Sequence, residues 1–209
     1  MEEVNQFRQS LRFTMRIFVI AVLLLFTTLL SAQSSPATSP QNLRTGVASH
    51  PEWPRAKPAD VDTIGDIVRA FYSAISAPSG GKLDQNRLRS LFVPGGRIVS
   101  NVPRDSAGVV DLRFLSPDGY AAISDAHTAT AGFFDRNPAN QIERFGVMAH
   151  VHSMFESRSH VDDPEPMARG IKSFELLNNR NRWYIVEVYW GLESPDNLIP
   201  KQYLHDSVR

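Results

Sequence analysis

The stretch from Gln141 to Leu192 constrains the fold of this chain most strongly. It contains three apolar-rich segments, QIERFGVMAHVHSMFESRSH, ARGIKSFELL and RWYIVEVYWGL. Turn-forming sequences separate them, VDDPEP at 161–166 and NNRN at 178–181. Runs rich in β-branched and aromatic residues between such turns predict three consecutive strands of one antiparallel sheet.

Three helices are predicted upstream of these strands. Apolar residues from 61 to 75 recur at spacings of three and four, which is typical of an amphipathic helix, and Asp60 or Asp62 can cap it. A shorter helix is predicted over about 83–92, where a Pro-Gly-Gly sequence ends it. A third helix, over about 117–131, follows a Ser-Pro-Asp start signal.

Two strands are predicted at 97–103 and 109–115, and a short extended piece at 133–136. The order is then two helices, two strands, a helix and the long strands, which indicates an α+β fold. The chain has 209 residues, of which 42% are hydrophobic, and this is enough for one domain with a substantial core.

The N-terminus indicates export. Residues 17–30 form an uncharged apolar run that follows several arginines. As a helix the run would span about 21 Å at roughly 1.5 Å per residue, less than the ~30 Å of a hydrocarbon layer. We therefore predict a signal peptide at 1–32, cleaved after Ala32 or Gln33, with Met15 as a possible true start. The protein is then periplasmic or secreted. The alternative is that the N-terminal segment stays uncleaved and anchors the protein, and this segment would then be its only contact with a membrane.

Residues 33–58 are rich in Ser, Pro, Thr and Ala and lack apolar periodicity, so they predict a flexible tether. Trp53 in this segment either docks on the domain or marks where order begins. The folded domain is assigned to residues 59–205.

Composition argues against several functions. The 22 basic residues equal the 22 acidic ones, so no charge excess indicates a nucleic-acid partner. The chain has no cysteine, which excludes disulfides, thiol catalysis and thiolate metal sites. No cofactor and no metal site are predicted.

Four motifs in this order resemble a known superfamily. They are IVRAFYSAIS in the first helix, LRSLFVPGGRIV from the second helix into a strand, AGFFDR before the long strands, and RWYIVEVYW in the last strand. The region from about Asp60 to Leu204 resembles the nuclear transport factor 2-like superfamily, which includes ketosteroid isomerase, scytalone dehydratase and the SnoaL-like polyketide cyclases. No one motif is specific, and their order carries most of the resemblance.

The resemblance implies a cone-shaped, curved antiparallel sheet of about five to six strands wrapped around three helices. It also implies a pocket at the wide end, for which Phe71, Tyr72 and Trp190 are the expected lining residues. Many members of the superfamily are homodimers through the outer face of the sheet, so a homodimer is expected here.

The catalytic pattern of ketosteroid isomerase is not matched. Its general base is an Asp on the strand after the second helix, and Ser100 or Asn101 stands there in this chain. Neither accepts a proton near neutral pH. The tyrosine position of the first helix holds Phe71, with Tyr72 about 100° further around the helix.

Three other residues are candidates for catalysis, namely His150, His152 and Glu187. The two histidines lie two residues apart on one strand, so both side chains share one face and could serve as acid and base. The alternative is that they lie on the outer sheet face or at a dimer interface, because Val151 and Phe155 alternate with them and resemble core residues. Glu187 either faces the pocket with a raised pKa or pairs with an arginine across the sheet, and the basic residues available to it are Lys172, Arg144 and Arg169.

Three functions remain open on the sequence. The first is an exported domain that binds a small, largely apolar molecule, with enzymatic activity undecided. The second is a cofactor-independent SnoaL-like isomerase, cyclase or dehydratase that uses His and a carboxylate. The third is a protein-interaction module with a closed pocket. A histidine and a carboxylate that meet inside the cone would favour the enzyme. A cone filled by side chains would favour the interaction module.

Overall fold

The structure is a computed structural model, and it describes residues 46–103 and 109–208. The predicted signal peptide, the possible start at Met15 and the first part of the predicted tether lie outside the described residues, so export stays a prediction. No helix among the described residues is long and apolar enough to cross a membrane.

Three α-helices and seven strands make up the described domain. The helices are α1 (Ile64–Ala74), α2 (Gln85–Leu91) and α3 (Pro117–Thr128). The strands are β1 (Phe92–Pro103), β2 (Val110–Leu115), β3 (Phe134–Phe145), β4 (Met148–Arg158), β5 (Ala168–Asn178), β6 (Trp183–Leu192) and β7 (Ser207–Val208). Short 3-10 helices lie at Val47–Ser49, Pro58–Asp60 and Lys201–Leu204.

The strands form one sheet in the order β2-β1-β6-β5-β4-β3-β7. Four neighbouring pairs are antiparallel, whereas β1 runs parallel to β6 and β7 runs parallel to β3. The predicted α+β fold with three helices is confirmed. The sheet is mixed and has seven strands, where five to six antiparallel strands were expected.

The two faces of the sheet differ in what covers them. The inner face carries Val151, Phe155 and Phe174, which pack with α1 in the hydrophobic core. The outer face carries the residues that alternate with these along each strand. α1 presents Phe71 and Tyr72 to the core, while α3 lies against α2 and β1.

The prediction of one long strand from Gln141 to His160 is wrong, because a hairpin divides this segment into β3 and β4. Gly146 lies at the turn with φ of 58°, a left-handed conformation that glycine adopts without the steric cost of a Cβ. The predicted extended piece at 133–136 is the beginning of the same strand β3. Apolar residues on both sides of Gly146 hid this turn in the sequence.

The first helix is capped by a residue other than those predicted. The Thr63 hydroxyl accepts a hydrogen bond from the backbone of Asp66 at 3.1 Å, and the Asp66 carboxylate accepts one from the Thr63 backbone, which is a capping box. Asp60 instead accepts two hydrogen bonds from Arg87 of α2, at 2.8 and 2.9 Å. Ser116 caps α3 as predicted, since its hydroxyl accepts from the Gly119 backbone.

Part of the segment assigned to the tether contacts the domain. The Trp53 indole N–H donates to the Phe92 carbonyl at 3.0 Å, and the Arg89 guanidinium lies 4.5 Å from the Trp53 ring. Of the two outcomes considered for Trp53, docking on the domain is the one observed.

The C-terminal segment pairs with the edge of the sheet. β7 adds to the free side of β3, and the Asn140 backbone N–H donates to Asp206 at 2.7 Å. This pairing satisfies backbone groups that an edge strand would otherwise expose. The ordered chain thus runs past residue 205.

Candidate functional site

A cavity of about 460 Å³ lies between α3 and the inner face of β4, β5 and β6. α3 contributes residues to one wall and the sheet contributes the other. The apolar side chains that line it include Ile123, Phe133, Phe155, Met167, Trp190 and Leu192. The polar ones are Tyr120, Ser124, His127, Thr128, Ser157 and Lys172.

Lys172 and Asp135 form a buried ion pair at this cavity. The Lys172 ammonium lies 2.9 Å from the Asp135 carboxylate, and the two side chains are 4% and 0% exposed. The second Asp135 oxygen accepts a hydrogen bond from the Ser157 hydroxyl. Lys172 lines the cavity itself, whereas Asp135 lies behind it. A charged pair removed from water to this extent is costly unless its hydrogen bonds are satisfied.

The alternation of β5 places Lys172 inside. Gly170, Lys172, Phe174 and Leu176 lie two residues apart, so their side chains share the inner face, and all four are buried. Asp135 reaches the same place from β3, where the Ser76 hydroxyl accepts a hydrogen bond from its backbone N–H.

Aromatic rings surround the lysine ammonium. Nζ lies 3.3 Å from the centroid of the Phe155 ring, 5.2 Å from that of Trp190 and 5.5 Å from that of Tyr72. Burial lowers the pKa of Lys172, and the negative charge of Asp135 opposes part of this change. The amine therefore loses its proton more readily than an exposed lysine does.

Two phenols near the ion pair stay protonated. Burial raises the pKa of Tyr72 well above its ordinary value, and the Asp135 charge adds to the effect. Burial and the same carboxylate also raise the pKa of Tyr120. Both hydroxyl groups are thus neutral at physiological pH and can act as hydrogen-bond donors.

Of the three residues expected in the pocket, Trp190 lines the cavity. Phe71 lies instead in a closed aromatic cluster, with its ring centroid 5.1 Å from that of Phe174. Tyr72 is also buried, and its hydroxyl donates to Ser153 at 3.0 Å. The amphipathic stripe could not separate pocket residues from core residues, because both lie on the apolar side of α1.

His150 and His152 lie on the outer face, away from the cavity. Their rings are 4.2 Å apart, and Nε2 of His150 lies 2.6 Å from the Ser173 hydroxyl and 3.6 Å from a Glu175 oxygen. His152 packs against Tyr203 of the C-terminal segment, and burial with the neighbouring His150 lowers the pKa of His152. The geometry therefore does not bring these histidines together with a carboxylate inside the cone.

Glu187 also lies on the outer face. A bulge in β6 at Val186 shifts the alternation, so that Glu187 opposes Glu175 whereas Ile185 opposes Leu176. Strict alternation would place Glu187 on the same face as Trp183 and Ile185. Because of the bulge, Glu187 lies on the opposite face. It pairs with Arg97 of β1 at 3.4 Å, an arginine as expected, but not one of the three basic residues named as available partners.

The outer face has a depression of its own, of about 530 Å³, near the turn between β3 and β4. His150 and Glu175 border it together with exposed apolar side chains, namely Phe145, Met148 and Leu177. Within residues 46–103 and 109–208, no group of three or more His, Asp or Glu side chains is placed to hold a metal ion.

The sequence-based interpretation did not single out the ion pair. Lys172 was considered only as an available partner for Glu187, and Asp135 occurred only within the AGFFDR motif. The inward position of Lys172 among Phe174 and Leu176 was the available signal. His127, which the sequence did not single out as a candidate, is exposed and borders the cavity.

The helices and strands follow the chain order that the sequence predicts, with two helices, two strands, a helix and then the long strands. No protein-family model and no curated protein sequence matches the chain.

Several solved structures are similar to it. One is a nuclear transport factor 2-like protein of unknown function from Silicibacter pomeroyi, with 17% identity, 63% of this chain and 94% of that chain covered, and a TM-score of 0.43. Another of the same description, from Methylobacillus flagellatus, has 16% identity, coverages of 64% and 91%, and a TM-score of 0.44. An uncharacterised protein with a cystatin-like fold from Caulobacter vibrioides has 14% identity, coverages of 65% and 90%, and a TM-score of 0.45.

Proposed function

We propose that the domain binds a small, largely apolar molecule in the cavity between α3 and the sheet. The observation that carries this proposal is the cavity itself, about 460 Å³ in volume and lined mainly by apolar side chains around one buried ion pair. Ligand sites occupy roughly 300–1,000 Å³ and combine apolar walls with a few polar groups. A cavity of this size disfavours the alternative of an interaction module with a closed cone.

The enzymatic alternative, with a histidine and a carboxylate as acid and base, has less support. His150 and His152 lie on the outer face, and Glu187 pairs with Arg97. The charged groups at the cavity are Lys172 and, behind it, Asp135, and the one histidine that lines it is His127 of α3.

The binding proposal is tested by filling the cavity. Ala168 lines it from β5, so Ala168→Phe is expected to abolish retention of small molecules because the phenyl ring occupies the ligand volume. The measurement is unbiased mass spectrometry of the molecules that the purified full chain retains. Ala126 is exposed on α3 and does not line the cavity, so Ala126→Phe is the matched control and should retain the same molecules as the unchanged protein.

Equal retention by both variants would contradict the proposal, as would the absence of any retained or added apolar compound in the unchanged protein. Circular dichroism of both variants shows whether the domain still folds, so that lost binding is not mistaken for unfolding.

We also propose that the chain forms a homodimer through the outer face of the sheet. Phe145 is 83% exposed and Met148 is 55% exposed beside the outer depression, and apolar surface of this kind favours association. Phe145→Asp is expected to shift the protein from dimer to monomer in size-exclusion chromatography with light scattering, because a charge would be buried without a partner.

Leu198 provides the control for this experiment, since it is 68% exposed and does not line the depression. Leu198→Asp should leave the dimer intact. A monomeric unchanged protein at high micromolar concentration would overturn the dimer proposal and leave the binding proposal untouched.

A further inference from the structure

Lys172 differs from every other lysine in the chain. The sequence has four, and Lys57, Lys82 and Lys201 are exposed. Lys172 is 3% exposed, yet it lines the cavity. Lys172 therefore borders the cavity while it is shielded from bulk water.

The amine has hydrogen-bonding capacity left for a ligand. An ammonium group has three N–H donors. Among the described residues, Asp135 is the oxygen partner that the structure shows for Nζ, and the near neighbours on other sides are the rings of Phe155 and Trp190. A ring attracts the cation but does not replace an oxygen acceptor, so a ligand oxygen beside Nζ would complete its environment.

We propose that Lys172 condenses reversibly with the carbonyl group of an aldehyde or ketone bound in the cavity. This inference rests on the proposed binding function and adds the chemical class of the ligand, an apolar carbonyl compound. The geometry that supports it is a lysine at the cavity wall, in contact with a fixed carboxylate and flanked by aromatic rings.

The reaction conserves charge at each stage. Lys172 first transfers a proton to Asp135, 2.9 Å away, and becomes a neutral amine. The amine lone pair attacks the carbonyl carbon, and the nitrogen loses one proton while the oxygen gains one, which gives a carbinolamine. Asp135 then returns its proton to the hydroxyl, water leaves, and the nitrogen lone pair forms the C=N bond of an iminium ion. The sum is an ammonium and a carbonyl giving an iminium and water, with no oxidant or reductant.

The ion pair is suited to this sequence. The iminium carries the same positive charge as the ammonium, so the buried Asp135 carboxylate again has a cationic partner. The Ser157 hydroxyl donates to its other oxygen and fixes its orientation. Burial also lowers the pKa of Lys172, whereas the neighbouring Tyr72 and Tyr120 hydroxyls keep their protons. Desolvated lysines of this kind are the ones that act as nucleophiles.

The test is reductive trapping with benzaldehyde as the probe. The full chain is incubated at neutral pH with benzaldehyde and sodium cyanoborohydride, which converts an imine into a stable benzylamine, and the modified lysines are identified by peptide mass mapping. Lys172 is expected to be modified about tenfold faster than each of the three exposed lysines, since a lysine in an apolar pocket is an activated nucleophile.

Two variants distinguish a chemical role of the ion pair from a purely structural one. Lys172→Arg keeps a cation beside Asp135 but cannot form the imine, so total early modification should fall to the level of the exposed lysines. Asp135→Asn removes the acid that protonates the carbinolamine hydroxyl and should slow modification of Lys172 without changing that of Lys82. Circular dichroism establishes that each variant is folded.

The outcomes distinguish this inference from the binding proposal. Noncovalent benzaldehyde binding by native mass spectrometry, with even modification of the four lysines, would overturn the imine and leave the binding proposal standing. Neither binding nor selective modification would overturn both. Selective modification of Lys172 that survives Asp135→Asn unchanged would overturn the role of Asp135 as the acid that protonates the hydroxyl.

Discussion

Lys172→Met is expected to lower the free energy of unfolding by about 3–5 kcal/mol, because it leaves the Asp135 carboxylate buried without its cation. The Asp135 side chain has no exposed surface, so water cannot replace the lost partner. Urea unfolding followed by tryptophan fluorescence measures the change.

A second variant shows whether the loss comes from the unpaired charge. Asp135→Asn combined with Lys172→Met removes both charges, while an oxygen remains to accept the hydrogen bond from Ser157. Replacing both partners of a buried ion pair is often close to neutral, so the double variant should recover more than half of the loss. A double variant as unstable as the sum of the two single ones would contradict this account.

The same pair sets a pH dependence in the alkaline range. The folded state lowers the pKa of Lys172 below its ordinary value of 10.5, so the unfolded chain binds more protons between the two values. Stability from this group therefore rises as the pH rises through that window. Lys172→Met should remove the rise, which the same urea titrations at increasing pH would show.

Gly170→Ala is expected to destabilise the domain by about 3 kcal/mol, at the upper end of typical overpacking costs. A Cβ at this position would lie against the Gly191 carbonyl oxygen on β6, far closer than van der Waals contact, and 2.8 Å from Cε1 of Phe155. Both neighbours lie in the sheet, so the strand or the ring must move. Thermal and urea unfolding measure the effect.

Gly191 is the matched control on the neighbouring strand. A Cβ there meets no atom within 4 Å, so Gly191→Ala should change the free energy of unfolding by less than about 0.5 kcal/mol. Comparable losses in the two variants would show that replacing any glycine in these strands destabilises the domain, and that the close approach at Gly170 is not the cause. Since Phe155 lies under the Lys172 ammonium, the Gly170 variant should also reduce ligand retention.

The local elements of this fold were largely predictable, for physical reasons that lie within short stretches of sequence. The apolar spacing from 61 to 75 predicts α1, and Ser116 predicts the start of α3, because both signals depend on neighbours within one or two turns. The hairpin at Gly146 was missed because the turn is flanked by Phe145, Val147 and Met148, whose apolar side chains resemble a continuous strand.

Side-chain orientation was predictable only where the strands are regular. Strict alternation puts His150 and His152 on one face, as observed, with Val151 and Phe155 on the other. In β6 the bulge at Val186 reverses the faces beyond it, so Glu187 lies opposite to Ile185. A bulge arises from pairing with the neighbouring strand, and the sequence of one strand does not reveal it.

The segment from Gln141 to Leu192 by itself determined that this chain builds a multistranded sheet, and the helix signals before it added the α+β class, since periodicity and turns are local properties. The tertiary structure alone decided which polar residues meet. Lys172 and Asp135 are 37 residues apart and come together because β4 lies between β3 and β5, and these two strands turn the side chains inward. The burial that shifts the pKa of Lys172 depends on α3, the aromatic rings and the sheet closing around it, and no short stretch of sequence contains that information.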